Sequence, residues 1–161
     1  MGNVLAANSV AVEQTGARVL AVEDDAPIRH LLVRALGRVG IQVVPARDGA
    51  EAIELLRNER YAVLLLDLMM PRMSGWEVIE WLASHAESRP RTVVVLSAAK
   101  PDLARPLPAT GVDAVFLKPF DLHELTAYVK SFCTNDGHRA ASDSGLPADL
   151  PQQRRVDADQ P

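Results

Sequence analysis

Four short apolar runs in this chain each end on side chains that can do chemistry. Glu23, Asp24 and Asp25 follow Val19-Leu20-Ala21-Val22; Asp67 follows the run from Tyr61 to Leu66; Ser97 follows Thr92 to Leu96; Lys118 follows Ala114 to Leu117. Runs of this kind read as buried strands, and open α/β sheets bind their ligands outside the carboxyl ends of the strands. Acids, a hydroxyl and an ammonium therefore converge on one end of the sheet. Carboxylates offer oxygen ligands to a hard divalent cation, while an ammonium and a hydroxyl offer hydrogen bonds to an anion.

The elements that must position these groups alternate from Arg18 to about Thr134: β-rich apolar runs, then segments of helical period. That alternation predicts a parallel sheet with crossover helices. The strands read as Arg18 to Val22, Ile41 to Val44, Tyr61 to Leu66, Thr92 to Leu96 and Ala114 to Leu117. The first, third and fourth are apolar enough to be inner strands. A first helix opens with Pro27, turns Ile28, Leu31, Leu32, Ala35, Leu36 and Val39 toward the core, and stops at Gly40. Asp48 caps a second helix, built on Ala52, Ile53 and Leu56; Gly75 precedes a third, built on Val78, Ile79 and Leu82. Asp121 and Glu124 form a capping box for the last helix, which carries Leu122, Leu125, Val129 and Phe132. Pro101, Pro106 and Pro108 leave room for at most a short, irregular helix in the fourth crossover.

The chain has 161 residues, 48% of them hydrophobic, which suits one domain with a real core. We expect that domain to span residues 17–134, with a flexible extension at 1–16 and a disordered tail at 135–161, where periodic apolar faces are missing. A net charge of -4 without clustered Lys and Arg argues against direct nucleic-acid binding. The single cysteine, Cys133, excludes an internal disulfide and reads as a small apolar filler. With no signal-peptide pattern and no run of membrane-spanning length, the expected place is the cytoplasm, without membrane insertion.

Four ordered motifs make residues 18–134 resemble the receiver domains of two-component response regulators, the CheY-like proteins. They are Val22-Glu23-Asp24-Asp25 before Pro27-Ile28-Arg29, Asp67 through Pro71 to Gly75, Ser97-Ala98-Ala99, and Lys118-Pro119-Phe120. The resemblance implies a flavodoxin-like, doubly wound five-stranded parallel sheet, a (βα)5 fold with an irregular fourth crossover. It also implies that Asp67 accepts a phosphoryl group from a sensor histidine kinase or a histidine phosphotransfer protein. By the same resemblance Mg²⁺ is held by Asp24, Asp67, the backbone carbonyl of Met69 and, through water, Glu23. Lys118 contacts the phosphoryl oxygens, Ser97 is the switch hydroxyl, and the Lys118-Pro119 bond is cis. Phosphoryl transfer needs little else: an in-line nucleophile and positive charge around the equatorial oxygens. The expected protein is thus a stand-alone receiver, not a metabolic enzyme, that catalyses its own phosphorylation and dephosphorylation and signals through contacts with an unknown protein target.

Each element alone has a plainer reading. An acidic cluster after a strand is more often a solvated helix start, Ser97 a turn hydroxyl and Lys118 a surface charge; the ordered set of four outweighs these. Asp25 competes as a cap for the first helix and ranks below Asp24 as a ligand. Met69, Met70 and Met73 read as gap fillers rather than a soft metal site. His30, His85, His123 and His138 read as surface residues.

Two features depart from the family. Val115 stands where receivers usually carry the aromatic partner of the switch hydroxyl, and strand alternation sends Phe116 to the opposite face. The proline-rich crossover also alters a face that receivers use for docking. Two other classes compete: a phosphatase using Asp67, opposed by Met69 where haloacid-dehalogenase-like enzymes place a second aspartate, and a scaffold that binds partners regardless of phosphorylation.

Overall fold

The computed structural model describes residues 17–98 and 111–133. The expected extension, the tail, His138 and the three crossover prolines lie outside them.

Five strands form one parallel sheet in the order β2-β1-β3-β4-β5. They are β1 (Arg18–Val22), β2 (Gln42–Ala46), β3 (Val63–Asp67), β4 (Thr92–Ser97) and β5 (Ala114–Leu117). The inner strands are the first, third and fourth, as their composition requires. β2 starts one residue later than expected and takes in Pro45, which an edge strand tolerates because one side of its backbone has no partner. Asp67 and Ser97 are the last residues of their strands rather than the first beyond them, so pairing fixes their backbones: Asp67 is in register with Leu96, and Ser97 with Leu117.

Four helices are described: α1 (Ala26–Arg38), α2 (Gly49–Asn58), α3 (Gly75–Ser84) and α4 (Leu122–Cys133), with a short 3₁₀ turn at Ala86–Ser88. They cover both faces of the sheet, as a doubly wound fold demands. Alternation along the strands divides the core in two. Leu20, Val22, Leu64, Leu66, Val93 and Val95 pack with α2 and α3, whereas Val19, Ala21, Val63, Leu65, Val94 and Leu96 pack with α1 and α4. Cys133 is buried in the second cluster, in the filler role its solitude suggests.

The apolar face of α1 is narrower than its sequence suggests. Leu32 and Leu36 are buried and Ile28 packs beside them, but Leu31 is 48% exposed, and Val39 is the exposed C-cap. Positions four apart stack on one stripe, while Leu31 stands at its margin. Asp25 caps this helix by accepting the Ile28 N–H at 2.9 Å, so the capping alternative holds. At the other end Gly40 has φ 82°, Ile41 N–H reaches Leu36 O and Gly40 N–H reaches Gly37 O, the paired bonds of a glycine-terminated helix.

Candidate functional site

Glu23, Asp24 and Asp67 meet at the carboxyl end of β1 and β3, with one carboxylate oxygen from each lying within 4.8 Å of the others. Glu23 is 1% exposed and Asp67 4%, while Asp24 faces solvent. Lys118, just past β5, spans the two buried acids: its Nζ donates to Glu23 Oε2 at 2.8 Å and to Asp67 Oδ2 at 2.7 Å. The other Asp67 oxygen, Oδ1, accepts the Met69 N–H at 3.0 Å. Both Asp67 oxygens are therefore oriented.

The local charge does not balance, since one ammonium faces two buried carboxylates. Burial pushes the Glu23 carboxyl up to about 7, against the Lys118 hydrogen bond, and the Asp67 charge adds to the rise. Burial alone would lower the Lys118 ammonium, but its bonds to Asp67 and Glu23 outweigh that and hold it above the ordinary lysine value. A proton on Glu23 or a further cation would balance this charge. Hard oxygen donors match Mg²⁺, whose octahedral ligands at about 2.1 Å lie no more than about 4.2 Å apart. The observed spacing comes close to this, and the exposed Asp24 side chain has room to adjust.

Ser97 is buried at the end of β4, and its carbonyl accepts the Lys118 N–H at 2.7 Å, which ties the hydroxyl-bearing residue to the lysine backbone. The Lys118-Pro119 peptide is cis. Val115 packs with the α2/α3 cluster and Phe116 is buried in the α1/α4 cluster, so the two side chains do leave on opposite faces.

Several expectations about single residues need correction. Met69 is 70% exposed and fills no gap; its place in a turn puts its side chain outward, whereas Met70 is buried and Met73 packs against the α2/α3 cluster. His85 is half-buried rather than a simple surface residue: its ring stacks on Trp81 at 4.3 Å and Nδ1 lies 2.8 Å from Trp81 O, because the C-cap position folds it back over the helix. His30 and His123 are exposed.

Sequence reasoning gave three supporting residues no role in the site. Arg29 on α1 donates from Nη1 to Glu23 O at 2.7 Å and to Asp24 O at 3.1 Å, and so holds the turn that presents both acids. Its signal was its place in the Pro27-Ile28-Arg29 motif, one turn into the helix. Gly75 is the first residue of α3 rather than its predecessor, and a Cβ there would stand 2.2 Å from Asp67 O. Ser74 caps α3 in a reciprocal box with Glu77, a Ser-x-x-Glu pattern legible in the sequence.

The family model for the response regulator receiver domain matches residues 19–130. The chain belongs to that family. Among curated relatives, the receiver is 39% identical to response regulator MprA of Mycobacterium leprae over 114 residues, 71% of this chain and 50% of the relative. It is 35% identical to MprA of Mycobacterium bovis over 127 residues, 79% of this chain and 55% of the relative. The chain thus spans about half the length of the curated relatives it matches. Among solved structures, a Francisella response regulator receiver domain aligns with TM-score 0.63 and 28% identity, covering 72% of this chain and 95% of that one. TrrA of Thermotoga maritima, solved in complex with Mg²⁺ and BeF, aligns with TM-score 0.63 and 28% identity over 72% of this chain and 98% of that one.

Proposed function

We propose that this receiver accepts a phosphoryl group on Asp67 from a histidine kinase or histidine phosphotransfer protein, in a Mg²⁺-dependent reaction, and signals by changing its affinity for a protein partner. The observation that carries the reading is the Asp67 carboxylate, held by Lys118 at one oxygen and Met69 N–H at the other, beside Glu23 and Asp24. An Asp67 oxygen attacks phosphorus; the bond from phosphorus to the donor imidazole breaks, and its electron pair leaves with the imidazole nitrogen. Lys118 keeps its proton and hydrogen-bonds a phosphoryl oxygen. The Ser97 hydroxyl bonds another once the aspartyl phosphate has formed, and that contact is the switch. Asp24, Asp67 and the Met69 carbonyl would hold Mg²⁺, with Glu23 acting through water. When bound, the ion supplies charge neutralisation at the phosphoryl oxygens.

The same proposal includes self-catalysed dephosphorylation, a receiver domain spanning residues 17–134 that acts in the cytoplasm, and output through protein contacts rather than nucleic acid. No helix among the described residues is long and apolar enough to cross a membrane. Val115 in place of an aromatic favours a second reading, in which partner binding ignores phosphorylation.

Intact mass tests the proposal, with wild type and Asp67→Asn each incubated with acetyl phosphate in Mg²⁺ or in chelator. One added phosphoryl group that needs both Asp67 and Mg²⁺ is expected. No gain, together with no beryllofluoride binding, would leave the phosphorylation-independent scaffold. Partner binding by the phosphorylated and unphosphorylated forms then distinguishes a switch from a constitutive surface.

A further inference from the structure

Arg72 is the one described non-glycine residue with positive φ, 67°. Residues with a Cβ resist that region, so one that stays there is held by its surroundings. Its tether is Asp48, the cap of α2, 24 residues earlier in the chain: Arg72 Nη2 donates to Asp48 Oδ2. The other oxygen of this buried carboxylate accepts the Glu51 N–H at 2.9 Å. The Glu51 bond leads in holding the Asp48 carboxyl below its usual range, opposed by burial and helped by Arg72. A second tie runs alongside, since Gly49 N–H donates to Met73 O at 3.2 Å. A Cβ at Gly49 would stand 2.6 Å from Met73 Cγ and 2.9 Å from Met73 O, so the start of α2 lies directly against the loop.

That loop, residues 68–74, joins Asp67 to α3 and carries the Met69 N–H that orients Asp67. We infer that Arg72 is a positioning residue: through Asp48 it pins the β3–α3 loop to α2, and thereby sets the Mg²⁺ affinity of the carboxylate site. This rests on the phosphoacceptor reading above. Because the Arg72 side chain is exposed, salt screens the pair, and the latch makes Mg²⁺ affinity more salt-sensitive than the carboxylates alone would.

The test is calorimetric Mg²⁺ titration of the full chain, paired with thermal midpoints in chelator, for wild type, Arg72→Ala, Arg72→Gly, Arg72→Lys, Asp48→Asn and the Arg72→Ala/Asp48→Asn double variant. Arg72→Ala and Arg72→Gly should weaken Mg²⁺ binding about threefold, the scale of an ion pair with one exposed partner. Arg72→Gly should do so with an unchanged or higher thermal midpoint, because glycine accepts positive φ. A merely structural role would move stability and leave the metal constant alone. Arg72→Lys should recover most of the affinity, and the double variant should bind no more weakly than the weaker single one. Wild-type affinity in Arg72→Gly, or losses that add in the double variant, overturn the inference alone. A wild type that binds neither Mg²⁺ nor beryllofluoride overturns the phosphoacceptor reading and this inference with it.

Discussion

Two glycine-to-alanine substitutions should move the stability of this receiver in opposite directions. Within a helix, alanine is favoured over glycine by up to about 1 kcal/mol, because glycine has more backbone freedom to lose. At Gly37, on the exposed side of α1, a Cβ meets nothing within 4 Å, so propensity acts alone and Gly37→Ala should stabilise. At Gly75 the new Cβ would lie 2.2 Å from Asp67 O, 2.9 Å from Leu68 Cα and 3.0 Å from Asp67 C. All three are backbone atoms at or just past the end of β3, an inner strand, so no side chain can swing away. Relief requires α3 or the end of β3 to move by the better part of an ångström, and overpacking of that kind costs about 1–3 kcal/mol. The propensity gain is smaller in the first turn, where N–H groups lack partners in the helix. Gly75→Ala should therefore destabilise by about 1–2 kcal/mol, several degrees in thermal midpoint for a chain of this size. Displacement of Asp67 should also slow phosphorylation from a small-molecule donor, while Gly37→Ala leaves that rate unchanged. Urea melts and initial rates of phosphoryl incorporation measure both effects. A Gly75→Ala protein as stable and as fast as wild type would refute the close-approach argument.

Arg29→Ala removes charge-assisted hydrogen bonds to the carbonyls of Glu23 and Asp24, which are worth about 1.5–3 kcal/mol. Mg²⁺ affinity by calorimetry should fall about tenfold or more, whereas unchanged affinity would show that the turn holds itself. Lys118→Ala leaves the Glu23 and Asp67 carboxylates facing each other unpaired in a buried site; breaking such a pair costs about 3–5 kcal/mol. The metal-free protein should lose stability in urea melts, and added Mg²⁺ should restore more of it than in wild type. Asp48 gives a pH signature: its folded carboxyl titrates below the unfolded value of 3.8, so its stabilisation is complete above 3.8 and fades as pH falls through the folded value. The stability gap between wild type and Asp48→Asn should be flat from pH 5 to 7 and close under acid, while a constant gap down to the acid transition would contradict a carboxylate favoured in its ionised form by the Glu51 N–H and Arg72.

The strand ends were legible because continuous apolar runs and the polar residue after each are local facts. β1 and β5 match their sequence boundaries residue for residue, and the misjudged ends of β2, β3 and β4 involve only one or two positions. The caps at Asp48 and Asp121 were legible for the same reason, since an acid three residues before its N–H partner needs no distant information. Leu31 was misread because the sequence shows which residues are apolar but not how wide a stripe the neighbouring helices cover. Met69 and His85 were misread because burial in a turn or at a helix end depends on what lies across from it.

The sequence by itself determined the α/β alternation, the inner strands and the four groups gathered at one end of the sheet. Parallel pairing always brings the ends of neighbouring strands together, whatever the details of packing. Only the tertiary structure decided that Lys118 spans Glu23 and Asp67, that Arg29 fixes the acidic turn, that Gly75 must lack a side chain, and that Arg72 reaches back to Asp48. Those relations join residues on separate elements across distances of a few ångströms. Spacing along the chain carries no record of them, because they depend on how twisted strands and packed helices settle against one another.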